Sequence, residues 1–285
     1  MTVKIPKRRV TDLVNFIVAR HQIYERRFVD NLPKPWTDDP ILQQYRFCNV
    51  YRELDTVTKW ITDNWRTPHA GEPDMWFSMA VARWVNWPET LADIGYPVPW
   101  KAKHFIATLE KRRTLGAKVW TGAYMIGTQG NAMDKNRFIA EGVLQPLWDN
   151  RAALRPQEGD TLASFAQRII NVKNQGRFMV GQIVADAKYA DPILYAAPDW
   201  ATWAVSGPGS RRGLNRVLER ELKSHWNDRE FLLVLTELRA LVNANLPPWM
   251  QELHAQDLQN CLCEFDKYER VRLGQGRPRS RYAGR

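Results

Sequence analysis

Residues 203–215 read Trp203-Ala204-Val205-Ser206-Gly207-Pro208-Gly209-Ser210-Arg211-Arg212-Gly213-Leu214-Asn215, with two glycines flanking a proline between stretches of helical pattern. This is a helix-hairpin-helix pattern. Gly207 and Gly209 lack Cβ atoms, so the turn is free to take positive φ and its backbone to approach a phosphate closely. Ser210 and the N–H groups after it then open a helix, whose N-terminus attracts an anion. Arg211 and Arg212 add two positive charges there, and Ser206 and Gly213 bound the loop, so residues 206–213 are expected to grip a DNA backbone. A tight interhelical turn that happens to be basic is the other reading of the same residues. The pattern Gly-x-x-x-x-Gly-Lys-[Ser/Thr] is absent, which argues against a stand-alone kinase.

Outward from the hairpin, helical periodicity dominates and strand-like alternation never persists, so the sequence predicts an all-α, multi-helix fold. Over residues 43–65, Phe47, Val50, Leu54, Val57 and Ile61 recur at spacings of three and four, the apolar face of one long helix. Further helices are expected over 75–84, 101–115, 160–173, 179–188, 212–223, 229–243 and 249–273. Pro97-Val98-Pro99, residues 154–160 and Leu246-Pro247-Pro248 break them. There is no internal repeat. Residues 1–273 are expected to form a single helical domain, undivided or in two lobes around a cleft. Residues 274–285 are too polar and glycine-rich to pack, and read as a basic flexible tail that orders on DNA.

A chain of 285 residues, 44% hydrophobic, can bury one large core or two modest ones. No run approaches the roughly 18 apolar residues of a membrane span, and Met1-Thr2-Val3-Lys4-Ile5-Pro6 has no signal-peptide character, so a cytoplasmic protein with no membrane partner is expected. Three cysteines, Cys48, Cys261 and Cys263, give neither a disulfide framework nor a zinc pattern. The five histidines show no metal spacing, and no metal site is assigned. A net charge of +10 predicts attraction to a polyanion, because phosphate neutralisation releases condensed counterions. The basic residues cluster over 4–9, 101–113, 211–220 and 270–285, which favours nucleic acid over simple solubility. Thirteen tryptophans supply rings that stack on bases if they do not fill the core.

Two stripes carry residues suited to chemistry. Arg52, Asp55 and Lys59 fall at i, i+3 and i+7; Asp257, Asn260, Glu264 and Lys267 fall at i, i+3, i+7 and i+10. As solvated helix faces they would contribute only a few tenths of a kcal/mol per pair.

The strings Phe47-Cys48-Asn49-Val50-Tyr51-Arg52-Glu53-Leu54-Asp55, Gly207-Pro208-Gly209-Ser210-Arg211-Arg212-Gly213-Leu214 and Asp257-Leu258-Gln259-Asn260-Cys261-Leu262-Cys263-Glu264-Phe265-Asp266-Lys267-Tyr268 resemble those of the alpha-glutamyl/putrescinyl thymine pyrophosphorylases. That family is also called the amino acid:DNA transferases. Similar strings occur in the helical domain attached to phage 5-hydroxymethyluracil DNA kinases. The resemblance spans roughly residues 40–273. It implies a bacteriophage enzyme of thymidine hypermodification with a helical fold similar to helix-hairpin-helix DNA glycosylases. In such pathways 5-hydroxymethyluracil in double-stranded DNA is activated as a pyrophosphate ester, and the transferase replaces the pyrophosphate with an amine, commonly that of glycine. Functional coupling to a 5-hydroxymethyluracil DNA kinase is implied as well.

That chemistry makes three demands. Surrounding the 5-methylene carbon with catalytic groups favours an extruded base. The pyrophosphate leaving group needs cations such as Arg52, Lys59 and Lys267, or a divalent metal; no other cofactor is expected. The amine, mostly protonated at neutral pH, needs a carboxylate such as Asp55 or Glu264 as general base. Asn49, Lys59, Tyr124, Gln129, Gln182, Asp186 and Asn260 are the candidate substrate contacts, packing and capping being the alternative for Tyr124, Gln129 and Asp186. A cysteine thiolate adding to C6 of the pyrimidine would assist, although a buried structural thiol is the more usual role. Two other functions stay open: a glycosylase of a modified pyrimidine, with Asp228 after the hairpin in what looks like an N-cap setting, and a non-catalytic DNA-binding partner of the kinase.

Overall fold

A computed structural model describes residues 4–278 and 280–282 of the chain. Residues 1–3, which the signal-peptide reading used, and residues 279 and 283–285 of the expected tail lie outside them. The described residues form an all-helical protein with no strand, only an isolated bridge between Tyr45 and Arg281. Eight helices have nine residues or more: α1 (Lys7–Tyr24), α2 (Met75–Val85), α3 (Ala102–Thr114), α4 (Leu162–Ile170), α5 (Arg177–Ala190), α6 (Pro208–Val217), α7 (Asp228–Asn243) and α8 (Ala255–Arg272). They fall into two compact units, one of Met1–Asp55 with Ala201–Arg285 and one of Thr56–Trp200.

The first unit packs α1, α6 and α7 about α8. Leu13, Ile17, Leu214, Phe231, Leu235, Leu258, Leu262 and Phe265 form its fully buried centre. α1 escapes a periodicity scan because Arg9, Arg20 and His21 interrupt its apolar stripe, yet all three are buried. Proline at the first position and the N–H of Gly207 donating to Ser210 Oγ at 2.9 Å start α6. Its glycines serve packing rather than a turn. Gly207 is extended at φ −127°, while Gly209 and Gly213 lie within the helix. A Cβ on Gly209 would strike the Cys263 side chain, and one on Gly213 would stand 2.6 Å from the Leu262 carbonyl carbon. Glycine four residues apart lets the two backbones touch, so the expectation of positive φ at a phosphate turn is corrected.

Residues 43–65 are not one helix. Pro40–Gln44 makes a single turn, residues 45–51 form no helix, Arg52–Leu54 is a short 3-10 turn, and Thr56–Ile61 begins a separate helix. Side chains from α1 and α8 bond the backbone over residues 47–52, so those groups do not close i→i−4 bonds. The helix expected at 212–223 begins earlier and ends at Val217, and that expected at 249–273 begins at Ala255 behind an N-cap at His254.

The second unit is built on α2, all of whose residues are buried, with α5 packed along it. α2 ends at Asn86, whose φ of 48° gives the left-handed cap.

Gly213→Ala should destabilise the first unit by about 3 kcal/mol, because the obstacle is backbone that cannot rotate away. Gly122→Ala, with open space around it, should unfold like the parent protein. Thermal denaturation of the two variants measures the contrast.

Candidate functional site

One sector of α8 gathers the polar groups of the first unit. Asp257 Oδ1 accepts the Arg52 backbone N–H at 3.1 Å, the Asn260 amide donates to Asn49 O at 3.3 Å, and Glu264 Oε2 accepts the Cys48 N–H at 3.2 Å. Lys267 Nζ lies 2.5 Å from Glu264 Oε1. The spacing of 257, 260, 264 and 267 thus does set one face, and that face meets residues 48–52. From α1, Arg20 donates to Phe47 O at 2.9 Å and to Asn49 Oδ1 at 2.6 Å, and the Asn49 amide donates to Leu54 O at 2.7 Å. Asn49, Arg52, Asn260, Glu264 and Lys267 are therefore brought together, with Asp55 ending the 3-10 turn beside them.

The electrostatics centre on Glu264, a carboxylate only 3% exposed. Burial opposes charge on Lys267, but the adjacent Glu264 carboxylate holds the ammonium above its ordinary range. The same carboxylate pushes the exposed Cys48 thiol up, and burial raises Cys261 and Cys263. A thiolate at any of the three is disfavoured in this setting.

Beside this face, the hairpin cations are engaged. Arg211 bonds Ser206 Oγ at 2.7 Å and Asp228 Oδ1 at 3.0 Å. Arg212 and Arg216 reach the fully buried Asp266 at 2.9 and 2.8 Å. The Ser210 hydroxyl is occupied by Gly207 and fully buried, which corrects its expected role toward an anion. Asp228 is the first residue of α7, and Asn227, accepting from the Glu230 N–H, is the cap.

The remaining candidates belong to the second unit. Asp186 is fully buried in a bidentate pair with Arg83, whose Nη2 lies 2.7 Å from Asp186 Oδ1 and from Thr58 Oγ1. The Tyr124 hydroxyl donates to the Arg83 carbonyl, and exposed Gln129 donates to Asn174 O at 3.1 Å. Gln182 is half-buried on α5, and Lys59 is exposed on the Thr56–Ile61 helix. Asp186 and Tyr124 are thus held by protein partners. Sequence reasoning passed over Arg20, Asp266 and Arg83. A lone charge inside an apolar stripe, as Arg83 is in Met75–Val85, was the signal. Among the described residues, no group of three or more His, Cys, Asp or Glu side chains is gathered for a metal ion.

This geometry defines an all-helical protein whose polar groups converge on one long helix. Its family follows from sequence comparison. The family model of the 5-hmdU DNA kinase, helical domain, matches residues 7–277, and the chain belongs to that family. A 5-hmdU DNA kinase of Bacillus phage SP10 is 25% identical over 281 residues, covering 88% of this chain and 43% of the relative. The chain therefore spans less than half the length of that curated relative. No solved structure matches. No helix among the described residues is long and apolar enough to cross a membrane.

Two predictions separate structural from chemical roles. Asp186→Asn strands Arg83 in the interior and should cost about 3–5 kcal/mol, read as a lowered midpoint in denaturant unfolding. His21, 6% exposed between Tyr24, Tyr51 and Trp249, is pushed by burial from 6.5 to about 4, despite Glu25 at 3.3 Å. As pH falls the unfolded chain takes up this proton first, so the contribution is complete above 6.5 and is lost between 6.5 and about 4. The loss should be on the order of 3 kcal/mol and absent in His21→Phe, as measured by urea unfolding across that pH range.

Proposed function

We propose that the chain is an amino acid:DNA transferase that replaces the pyrophosphate of 5-(pyrophosphoryloxymethyl)uracil in double-stranded DNA with the amine of an amino acid such as glycine. Membership of a family named for a 5-hmdU DNA kinase supports the DNA base, and the resemblance of the three sequence strings supports the transfer. The observation that carries the reading is the Glu264–Lys267 pair, 2.5 Å apart and set against the Cys48 N–H in the unit that also holds α6.

In this reading Glu264 takes the proton of the ammonium. The freed nitrogen lone pair attacks the 5-methylene carbon, the C–O bond breaks, and pyrophosphate leaves with the bonding electrons. Lys267 and Arg52 stabilise the charge developing on it, with or without a divalent metal. Asp55 is the second candidate base, and Asn49 and Asn260 orient the base edge. The N-terminus of α6 faces the DNA backbone in this reading, and an extruded base reaches the carboxylate.

A second reading is a non-catalytic DNA-binding partner of a 5-hmdU DNA kinase, favoured by the match to 43% of a longer kinase. Mass spectrometry of nucleosides decides between them. Duplex carrying the pyrophosphorylated base, incubated with the protein and mixed amino acids, should yield a new aminated nucleoside and free pyrophosphate. Glu264→Gln should lower turnover roughly 100- to 10,000-fold while leaving DNA binding in place. Unchanged DNA with every amino acid and simple polyamine would leave the partner reading, and abasic sites would instead indicate a glycosylase.

A further inference from the structure

The described part of the C-terminal tail folds back on residues 44–46. Tyr45 and Arg281 form an antiparallel bridge, the Arg46 N–H donates to Ser280 O at 3.1 Å, and the Tyr282 N–H donates to Gln44 O at 3.1 Å. This pairing brings the Tyr282 ring to Trp36, centroids 5.7 Å apart. Cations collect around the two rings: Arg27 lies 4.9 Å from Trp36 and 6.0 Å from Tyr282, Lys34 at 5.5 and 5.6 Å, and Arg46 at 6.0 Å from Tyr282. Phe28, with Arg27 4.5 Å above it, is 55% exposed. At the tail seam, a cavity of about 380 Å³ has Arg277 and Arg281 in its described lining and no carboxylate.

A guanidinium on a ring uses its flat face and keeps its N–H edge free for an anion. Arg212 and Arg216 of α6, in contrast, already hold Asp266. Cations tethered to the half-buried rings of Trp36 and Tyr282 and to exposed Phe28 suit a chain of phosphodiesters.

We propose that this tail-closed patch is a second DNA-binding surface, separate from α6, that takes successive backbone phosphates on Arg27, Lys34, Arg46 and Arg281. It does not depend on the transfer reaction, and unmodified DNA tests it. Fluorescence anisotropy of the full chain with a labelled duplex of about 20 base pairs, over a series of salt concentrations, gives both Kd and the salt slope. The triple variant Lys34→Gln, Arg46→Gln, Arg281→Gln should raise Kd at least tenfold near 0.1 M salt and lower the log–log slope by between about 2 and 3. The charge-preserving triple Lys34→Arg, Arg46→Lys, Arg281→Lys should keep both close to the parent, which separates charge from fold. A parent protein that does not bind duplex, a glutamine triple with unchanged Kd and slope, or equal weakening of both triples would overturn the proposal.

Discussion

The contact of α6 with α8 at Gly209 and Gly213 governs the first unit. Without Cβ atoms at those two positions the backbone of α6 lies against the Cys263 side chain and the Leu262 backbone. From that proximity Arg212 and Arg216 reach Asp266. Arg9 of α1 enters the same network, donating to the Arg216 carbonyl at 3.2 Å and pairing with Glu269 at 2.9 Å. Asp266 and Glu269 are both buried, so each needs these arginines to offset desolvation. One steric allowance on α6 therefore lets three helices share one set of buried charges.

The opposite side of α8 carries Glu264. Its carboxylate accepts from the Cys48 backbone and from Lys267, and Asp257 and Asn260 hold Arg52 and Asn49 two turns and one turn away. Side-chain bonds to the 47–52 backbone do the work that a helix would otherwise do internally. The segment is thereby fixed outside any α-helix, and it is held by α8 and by Arg20. Positions of this kind, where a local periodic pattern yields to long-range hydrogen bonds, are where functional groups concentrate.

The legibility of the structure from sequence follows this division. The α8 sector was readable because a period of 3.6 residues is a local property, and Asp257, Asn260, Glu264 and Lys267 obey it. Residues 43–65 were not, since the partners that override their periodicity lie more than 200 positions away, as in Cys48 with Glu264 and Arg52 with Asp257. The glycines of residues 207–213 drew attention for the freedom of φ, whereas the i, i+4 spacing of Gly209 and Gly213 carried the packing signal. Arg20 and Arg83 look in sequence like interruptions of apolar helices. In the structure each is buried because it satisfies several acceptors at once.

Arginine appears in this chain in two physical states, and the difference bears on how it meets a polyanion. Arg83, Arg212 and Arg216 have buried carboxylate partners, and displacing such a partner exposes a charge to low dielectric, so they favour a fixed scaffold over exchangeable phosphate contacts. Arg27, Arg46 and Arg281, half-buried or exposed themselves, rest instead on aromatic rings. A ring holds the guanidinium in place without neutralising it. The net charge of +10 therefore mixes arginines already matched by buried carboxylates with arginines whose charge stays unneutralised on a ring.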